Sequence, residues 1–364
     1  MKKIAILIAF LCISLFLHAQ SGTLSWYKMI KGRIDKYPVT LHLHKKANSY
    51  SGYYYYDNQQ RPLSFSGDDT STRSKIRLSA FGYGEDMESF VFALLDDSVS
   101  GEWKKDENSK PLVFSGKAVR QPVNFTYVYT EGTVKLMPSL GDSPEGSYES
   151  GSVWPLTKTP LDQFIKKTIL ESFGEKKGYA GEEIGSVLLR HKKSFLSDYR
   201  EQHKEVTADD LKEYAMAYNH EQSTQQLVAF SSPRMLSLAY NSFSYTGGAH
   251  GMFGTFYSSL DLVNRKKLRL EHVLTASGIK LLPGLLEKAF RAQYGVKQDE
   301  TLKDAGLFEN KIEPSNFYVT EKGITFAYTP YEIGPYVMGQ IELYIPFSQL
   351  SSHIQPGFRS LQGK

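Results

Sequence analysis

Between residues 51 and 116 the chain repeats itself at constant spacing. Ser51-Gly52, Tyr54, Asp57, Arg61-Pro62-Leu63, Phe65 and Ser66-Gly67 return as Ser100-Gly101, Trp103, Asp106, Lys110-Pro111-Leu112, Phe114 and Ser115-Gly116, an offset of 49 (100 minus 51) held without a gap. The same offset sets Thr40-Leu41-His42-Leu43 on Ser89-Phe90-Val91-Phe92, and Tyr27 and Met29 on Ile76 and Leu78. A repeat of this length is one supersecondary unit, which buries its apolar face by packing on its neighbour. In each copy β-forming residues flank a polar turn: Ser51 to Tyr56 and Leu63 to Ser66 in the first, Gly101 to Trp103 and Leu112 to Ser115 in the second. Each copy therefore reads as about four short strands that include a hairpin. Four strands alone leave free edges, a liability that joining both copies into one closed antiparallel barrel of about eight strands removes. That barrel is the fold expected for residues 20–119.

A barrel of this size has an interior that its own side chains fill or that holds one small ligand, and filling is the expected outcome. The strand period turns two rings of Tyr53-Tyr54-Tyr55-Tyr56 inward and two outward. The expected reading is barrel filling plus an ordinary β-rich surface, with a stacking platform for sugar or peptide as the alternative. His42 and His44 share one face of a strand, but no third ligand accompanies them and a metal site needs at least three protein ligands. A solvent-facing pair is expected, and neither a metal nor a cofactor.

Met1-Lys2-Lys3 precedes an apolar run from Ile4 to Leu17 that ends in Leu17-His18-Ala19 before Gln20, the pattern of a secretory signal peptide cleaved after Ala19. Those fourteen residues fall short of the roughly 20 that a spanning helix needs. Cys12, the single cysteine, lies inside the run and not at its end after small residues, so lipidation is not expected. Its removal leaves a mature chain without thiol catalysis, disulfides or cysteine-held metals. The expected location is the periplasm or the medium, with no integral membrane segment after cleavage. The net charge of +4 includes two lysines and no acid in residues 1–19, so +2 remains beyond them (4 − 2). Without a basic block, nucleic acid is not an expected partner.

After Arg120-Gln121-Pro122 the pattern changes. Phe125, Tyr127 and Tyr129 alternate as a strand, Gly132 marks a turn, and Gly141 to Gly151 reads as a surface loop. Thr159-Pro160 caps a helix that carries Leu161, Phe164, Ile165, Ile169 and Phe173 up to Gly174. Gly181 to His203 is a second, with Val187, Leu188, Phe195 and Tyr199 opposite a basic, solvated face. Leu227 to Phe230, Met235 to Phe243, Phe253 to Leu262 and Lys267 to Leu270 read as strands, Ile279 to Tyr294 as a third helix, and Phe317 to Thr320, Gly323 to Tyr328 and Gly339 to Pro346 as closing strands. Strands and helices without regular alternation predict an α+β domain over residues 120–354, an antiparallel sheet covered by helices, with residues 355–364 as a tail.

Two motifs in this part are recognisable. Asn241-Ser242-Phe243-Ser244-Tyr245-Thr246-Gly247-Gly248-Ala249-His250-Gly251, followed by Leu260-Asp261-Leu262, and later Tyr331-Glu332-Ile333-Gly334-Pro335-Tyr336 with Gly339 to Pro346, resemble the C-terminal domain of the anti-sigma factor RsiV and its relatives, formally a domain of unknown function. The segment from Phe125 to about Phe230 is similar to the companion domain found before it, which also occurs as a non-catalytic part of the peptidoglycan deacetylase PdaC. The resemblance implies an extracytoplasmic recognition domain, and the best understood member binds lysozyme. This chain departs from that member: it has no sigma-binding segment and no retained membrane helix, and it gains the barrel.

Gly247 and Gly248 permit positive φ and close approach of the backbone to another surface. His250 and Glu332 are the one pairing suited to acid and base chemistry, since an imidazole oriented by a carboxylate is its minimum. No nucleophile stands near them at a known spacing, and Gly-x-Ser-x-Gly, His-Glu-x-x-His and P-loop patterns are absent. No catalytic or metal-ligating residue is therefore assigned. Tyr245, Gly247, Gly248, His250, Tyr331, Glu332 and Tyr336 are the candidate ligand-binding residues, against the plainer reading that His250 bonds its own loop and Tyr331, Glu332 and Tyr336 lock a turn. The expected function is a cell-envelope binding protein that recognises a lysozyme-like protein or a wall glycan. The alternative is an envelope hydrolase acting on peptidoglycan or another glycan through His250 and Glu332. Carriage of a small molecule inside the barrel is a third. The oligomeric state stays open.

Overall fold

A computed structural model describes residues 25–71, 75–81, 87–175 and 181–363. The expected signal peptide, its cleavage point after Ala19 and Cys12 lie outside the described residues. Strands β1 (Ser25–Ile34), β2 (Tyr37–Lys46), β3 (Ser49–Tyr56), β4 (Leu63–Asp69), β5 (Lys75–Phe81), β6 (Met87–Leu95), β7 (Ser98–Lys104) and β8 (Leu112–Val119) run up and down in chain order. They close where β1 pairs with β8, from Met29↔Val119 to Ile34↔Phe114. The duplication is visible in the register: Leu41↔Tyr54 and Gly52↔Phe65 in the first copy correspond at the offset of 49 to Phe90↔Trp103 and Gly101↔Phe114 in the second. Glycine recurs there because the neighbouring strand comes too close for a side chain. A Cβ on Gly52 would stand 1.9 Å from the His42 carbonyl oxygen, and one on Gly101 2.2 Å from that of Val91.

The offset fails at β1. Lys28 pairs with Leu43 whereas Arg77 pairs with Val91 and Ile76 with Phe92, so the residue equivalent to Ile76 is Lys28, not Tyr27. A slip of one residue reverses a strand's faces. Ile30 therefore points into the barrel, and Tyr27 and Met29 point out and enter the core of the second region. Inside, Ile30, Leu41, Leu43, Tyr54, Phe65, Leu78, Phe90, Phe92 and Phe114 fill the barrel.

The second region is a six-stranded sheet, order β14-β13-β12-β11-β10-β9, formed by β9 (Phe125–Lys135), β10 (Glu145–Pro155), β11 (His220–Ser231), β12 (Met235–Thr246), β13 (Met252–Asp261) and β14 (Lys266–Lys267). Gly132 does not end the first of these strands, which pairs with β10 as far as Lys135, and the expected strand at Lys267 to Leu270 shortens to Lys266–Lys267 before a helical turn at Leu270–Val273. Neighbours are antiparallel except β10 and β11, which run parallel from Gly146↔His220 because helices α1 (Pro160–Ser172) and α2 (Ile184–Gln202) intervene as a crossover. Thr159 caps α1 in a box with Asp162, as its spacing predicts. Beyond β14, helix α3 (Ala276–Tyr294) lays Leu282, Leu286 and Phe290 on the three-stranded sheet of β15 (Phe317–Val319), β16 (Gly323–Tyr328) and β17 (Ile341–Pro346). Phe358 and Leu361 of the last helix join that core.

The barrel rests on the larger sheet. Tyr53 shares a core with Phe125, Tyr127 and Leu227, and the ring of Tyr55 lies against Phe230. The outward tyrosines are thus neither surface nor platform. His42 and His44, expected in solvent, are wholly buried in this contact. The outer face of β2 and β3 is covered by another layer, so its histidines meet partners there: His42 Nδ1 the Tyr27 hydroxyl at 2.8 Å, and His44 Nε2 the Val228 backbone N–H at 3.1 Å.

Candidate functional site

The turn between β12 and β13 carries the first motif. Gly247 and Gly248 have φ of +83° and +98°, and a Cβ on Gly247 would lie 2.3 Å from the Ala217 carbonyl oxygen, so the turn needs glycine for both conformation and space. The Tyr245 hydroxyl donates to the Gly248 carbonyl at 3.1 Å and braces the turn from inside. His250 then emerges, exposed, at the end of the sheet.

The second motif reaches the same place from between β16 and β17. Tyr336 stacks on His250 with centroids 3.8 Å apart and planes 22° from parallel, and its hydroxyl donates to the Gly251 carbonyl at 2.7 Å. The Tyr331 hydroxyl lies 3.3 Å from His250 Nε2, while Nδ1 lies 3.1 Å from the Gly251 carbonyl. A carbonyl only accepts, so Nδ1 carries the proton and Nε2 receives one from the phenol. Phe253 meets Tyr336 edge-on at 5.7 Å. Tyr331 has φ of +69°, an outlier for an aromatic residue, and is about half exposed. Val337, the residue after Tyr336, is 89% exposed.

His250, Tyr331 and Tyr336 therefore converge, and Tyr245, Gly247 and Gly248 build the turn that presents the imidazole. Glu332 does something else. One carboxylate oxygen accepts from the Ser315 hydroxyl at 2.7 Å, and the other accepts the Thr329 backbone N–H at 2.9 Å and its hydroxyl at 3.2 Å. It locks the turn that carries Tyr331, and it makes no hydrogen bond to His250. Among the described residues no three His, Cys, Asp or Glu side chains gather as a metal site.

Sequence reasoning missed the surface that adjoins this cluster. Ser223, Gln225, Asn241, Phe243, Phe253 and Thr255 line a hollow of about 270 Å³ on the sheet. The alternation Ser223/Gln225 and Asn241/Phe243 marked a half-polar face, but only the register of three strands brings these residues side by side. The open edge of β13 is also sealed by side chains: Asn316 donates to the Thr255 carbonyl at 2.7 Å and accepts the Tyr257 N–H at 2.8 Å, and Gln340 accepts the Thr255 N–H at 2.6 Å.

Comparison with known proteins finds both expected families, but the first motif, expected in the RsiV-like part, falls in the PdaC-like one. Residues 274–348 match the family described as a protein of unknown function (DUF3298), and residues 160–253 match the family described as deacetylase PdaC. The Gly-Gly-Ala-His-Gly turn falls inside the PdaC-like match, the Tyr331 to Tyr336 turn inside the DUF3298 match, and the barrel outside both. A crystal structure of a DUF3298 family member from Bacteroides fragilis is similar at 25% identity and a TM-score of 0.57, over 67% of this chain and 99% of that one. A DUF3298 family protein from Pseudomonas aeruginosa shows 18% identity and a TM-score of 0.46, over 64% of this chain and 95% of that one. No curated protein matches. The chain thus combines a segment similar to PdaC and a segment similar to the DUF3298 family with an N-terminal barrel outside both.

Proposed function

We propose that this chain is an exported cell-envelope binding protein that recognises a lysozyme-like protein or a wall glycan with the ring cluster of His250, Tyr331 and Tyr336. The observation that carries the reading is the stack of exposed His250 on half-buried Tyr336, held rigid by hydrogen bonds at both imidazole nitrogens and followed in the chain by the projecting Val337. Rigid aromatic and apolar anchors on a turn are what dominate binding energy at interfaces, because little side-chain entropy is lost when they are covered. The geometry favours binding over hydrolysis. The Tyr331 phenol occupies Nε2, the nitrogen on which His250 would take up a proton, and Glu332, the carboxylate that would have paired with it, spends both oxygens on its own turn.

The test is retention. Purified protein is immobilised and challenged with lysozyme-type muramidases and with wall fragments at micromolar concentration. Retention of either, lost in His250→Ala and Tyr336→Ala, is expected. No retention, or retention that both variants preserve, would sink the reading.

A further inference from the structure

A polar trough runs from the ring cluster to the outer wall of the barrel, and its floor is set by register. Ser223, Phe243 and Phe253 stand directly opposite one another across β11, β12 and β13, and so do Gln225, Asn241 and Thr255 in the next row. Directly opposed residues share a face, so two parallel rows lie side by side on the half of the sheet that the barrel leaves open. One end of the first row is Phe253, whose ring meets Tyr336. In the second row, Gln225 borders a second hollow, of about 550 Å³, between sheet and barrel. There the barrel wall presents Ser51, Ser66 and Ser79, again directly opposed across β3, β4 and β5. Strands lie about 4.8 Å apart, so these serines form a ladder of hydroxyls at regular spacing, with Tyr50 and Met87 in the same lining.

The lining mixes uncharged polar groups with one cation and two carboxylates. Asn241 accepts from the Tyr53 hydroxyl at 3.3 Å and keeps its amide N–H groups, Ser223 keeps its hydroxyl, and Gln225, which donates to Glu149 at 3.3 Å, keeps its carbonyl; none of these groups has another hydrogen-bond partner among the described residues. Donors and acceptors thus alternate beside two phenyl rings. Lys46 is the one cation in the lining, and Glu149 holds it at 2.5 Å with Asp68 on the rim, so no free positive charge is available to a phosphate or a uronate. A sugar chain fits this pattern: its hydroxyls both donate and accept, and its ring C–H faces lie on aromatic rings.

We infer that the trough is a binding site for a neutral linear glycan, lying across both the barrel and the sheet. It goes beyond the ring cluster, which it adjoins through Phe253 but does not need. The added barrel then acts as one wall of the site.

Calorimetric titration of the purified protein with a β-1,4-linked N-acetylglucosamine hexamer, and separately with a β-1,4-linked glucose hexamer, tests this and separates acetylated from plain sugar chains. Saturable binding of at least one hexamer is expected, weakened about tenfold or more in Asn241→Ala and in Phe253→Ala. Ser66→Trp obstructs the ladder from an exposed position that the fold tolerates, and should weaken binding equally. Val263→Ala, at an exposed position outside both the trough and the ring cluster, should leave hexamer binding unchanged. The inference is overturned by no binding at millimolar hexamer, by binding that all three trough variants preserve, or by trough variants that release a wall-directed protein while no sugar binds.

Discussion

His44 Nε2 accepts the backbone N–H of Val228 at 3.1 Å, a hydrogen bond from the barrel into the middle of the sheet. Its Nδ1 donates to the Ser51 carbonyl at 3.2 Å, so the ring is neutral with both nitrogens in use. Burial pushes its pKa down to about 3, and burial, then His44 and Lys31, hold His42 well below the ordinary value. A proton on Nε2 would set donor against donor. Both groups bind protons in the unfolded chain below about pH 6.5 and refuse them in the folded one, so stability is full above that value and falls as pH drops toward the folded pKa. Each histidine contributes a slope of up to about 1.4 kcal/mol per pH unit in this window. Urea midpoints measured from pH 7.5 to 4.5 should fall, and His44→Gln, which keeps an acceptor for Val228 but cannot titrate, should flatten the fall. An unchanged slope in that variant would refute the assignment.

Gly52 and Gly101 occupy the same place in the two copies of the barrel repeat, each under a neighbouring carbonyl. Gly52→Ala and Gly101→Ala force strand separation, which no side-chain rotation relieves. Each should cost about 2–4 kcal/mol in urea unfolding, whereas Gly141→Ala, in open space, should change stability little.

The barrel was readable because its repeat carries strand order and hairpin register together, and Gly52↔Phe65 and Gly101↔Phe114 obey one offset. The slip at β1 was not readable. Tyr27, Met29 and Ile30 put apolar residues on both faces of that strand, so alternation alone does not decide which face looks inward. The burial of His42 and His44 was hidden for a related reason: a sequence shows which residues share a face, but not what covers it. At the ring cluster the two motifs were visible, but 81 residues separate His250 from Tyr331, and only the fold brings them together. The pairing of His250 with Glu332 does not form because Thr329-x-x-Glu332 has the spacing of a self-closing cap, a local signal that outweighs the long-range one.

Asn316 replaces a missing strand at the edge of β13, with its amide serving the Thr255 carbonyl and the Tyr257 N–H. Asn316→Ala leaves both backbone groups without these bonds, at a cost of about 1–3 kcal/mol. Asn316→Asp keeps the acceptor and loses the donor, so it should fall between. Amide hydrogen exchange at Tyr257 should quicken in Asn316→Ala before the barrel amides respond. Equal acceleration in both regions would mean that Asn316 acts on global stability and not on this edge.

Tyr331 holds a left-handed conformation at φ +69°, which costs an L-residue about 1–2 kcal/mol relative to its right-handed form. Glycine adopts that conformation without strain. If the tyrosine served only to fold the turn, Tyr331→Gly would lose the ring contacts with Tyr336 and His250 and destabilise the protein. The ring is about half exposed, however, and those contacts lie at the surface, so relief of strain should offset their loss. Tyr331→Gly is therefore expected to match the parent in thermal midpoint and to exceed Tyr331→Ala, which keeps the strain without the ring. Both variants should retain less muramidase or wall fragment than the parent does in the retention test. That combination, stability preserved and retention lost, identifies a residue kept in a strained backbone for what its ring touches outside the molecule. Retention preserved in Tyr331→Gly would show that the ring is dispensable to binding.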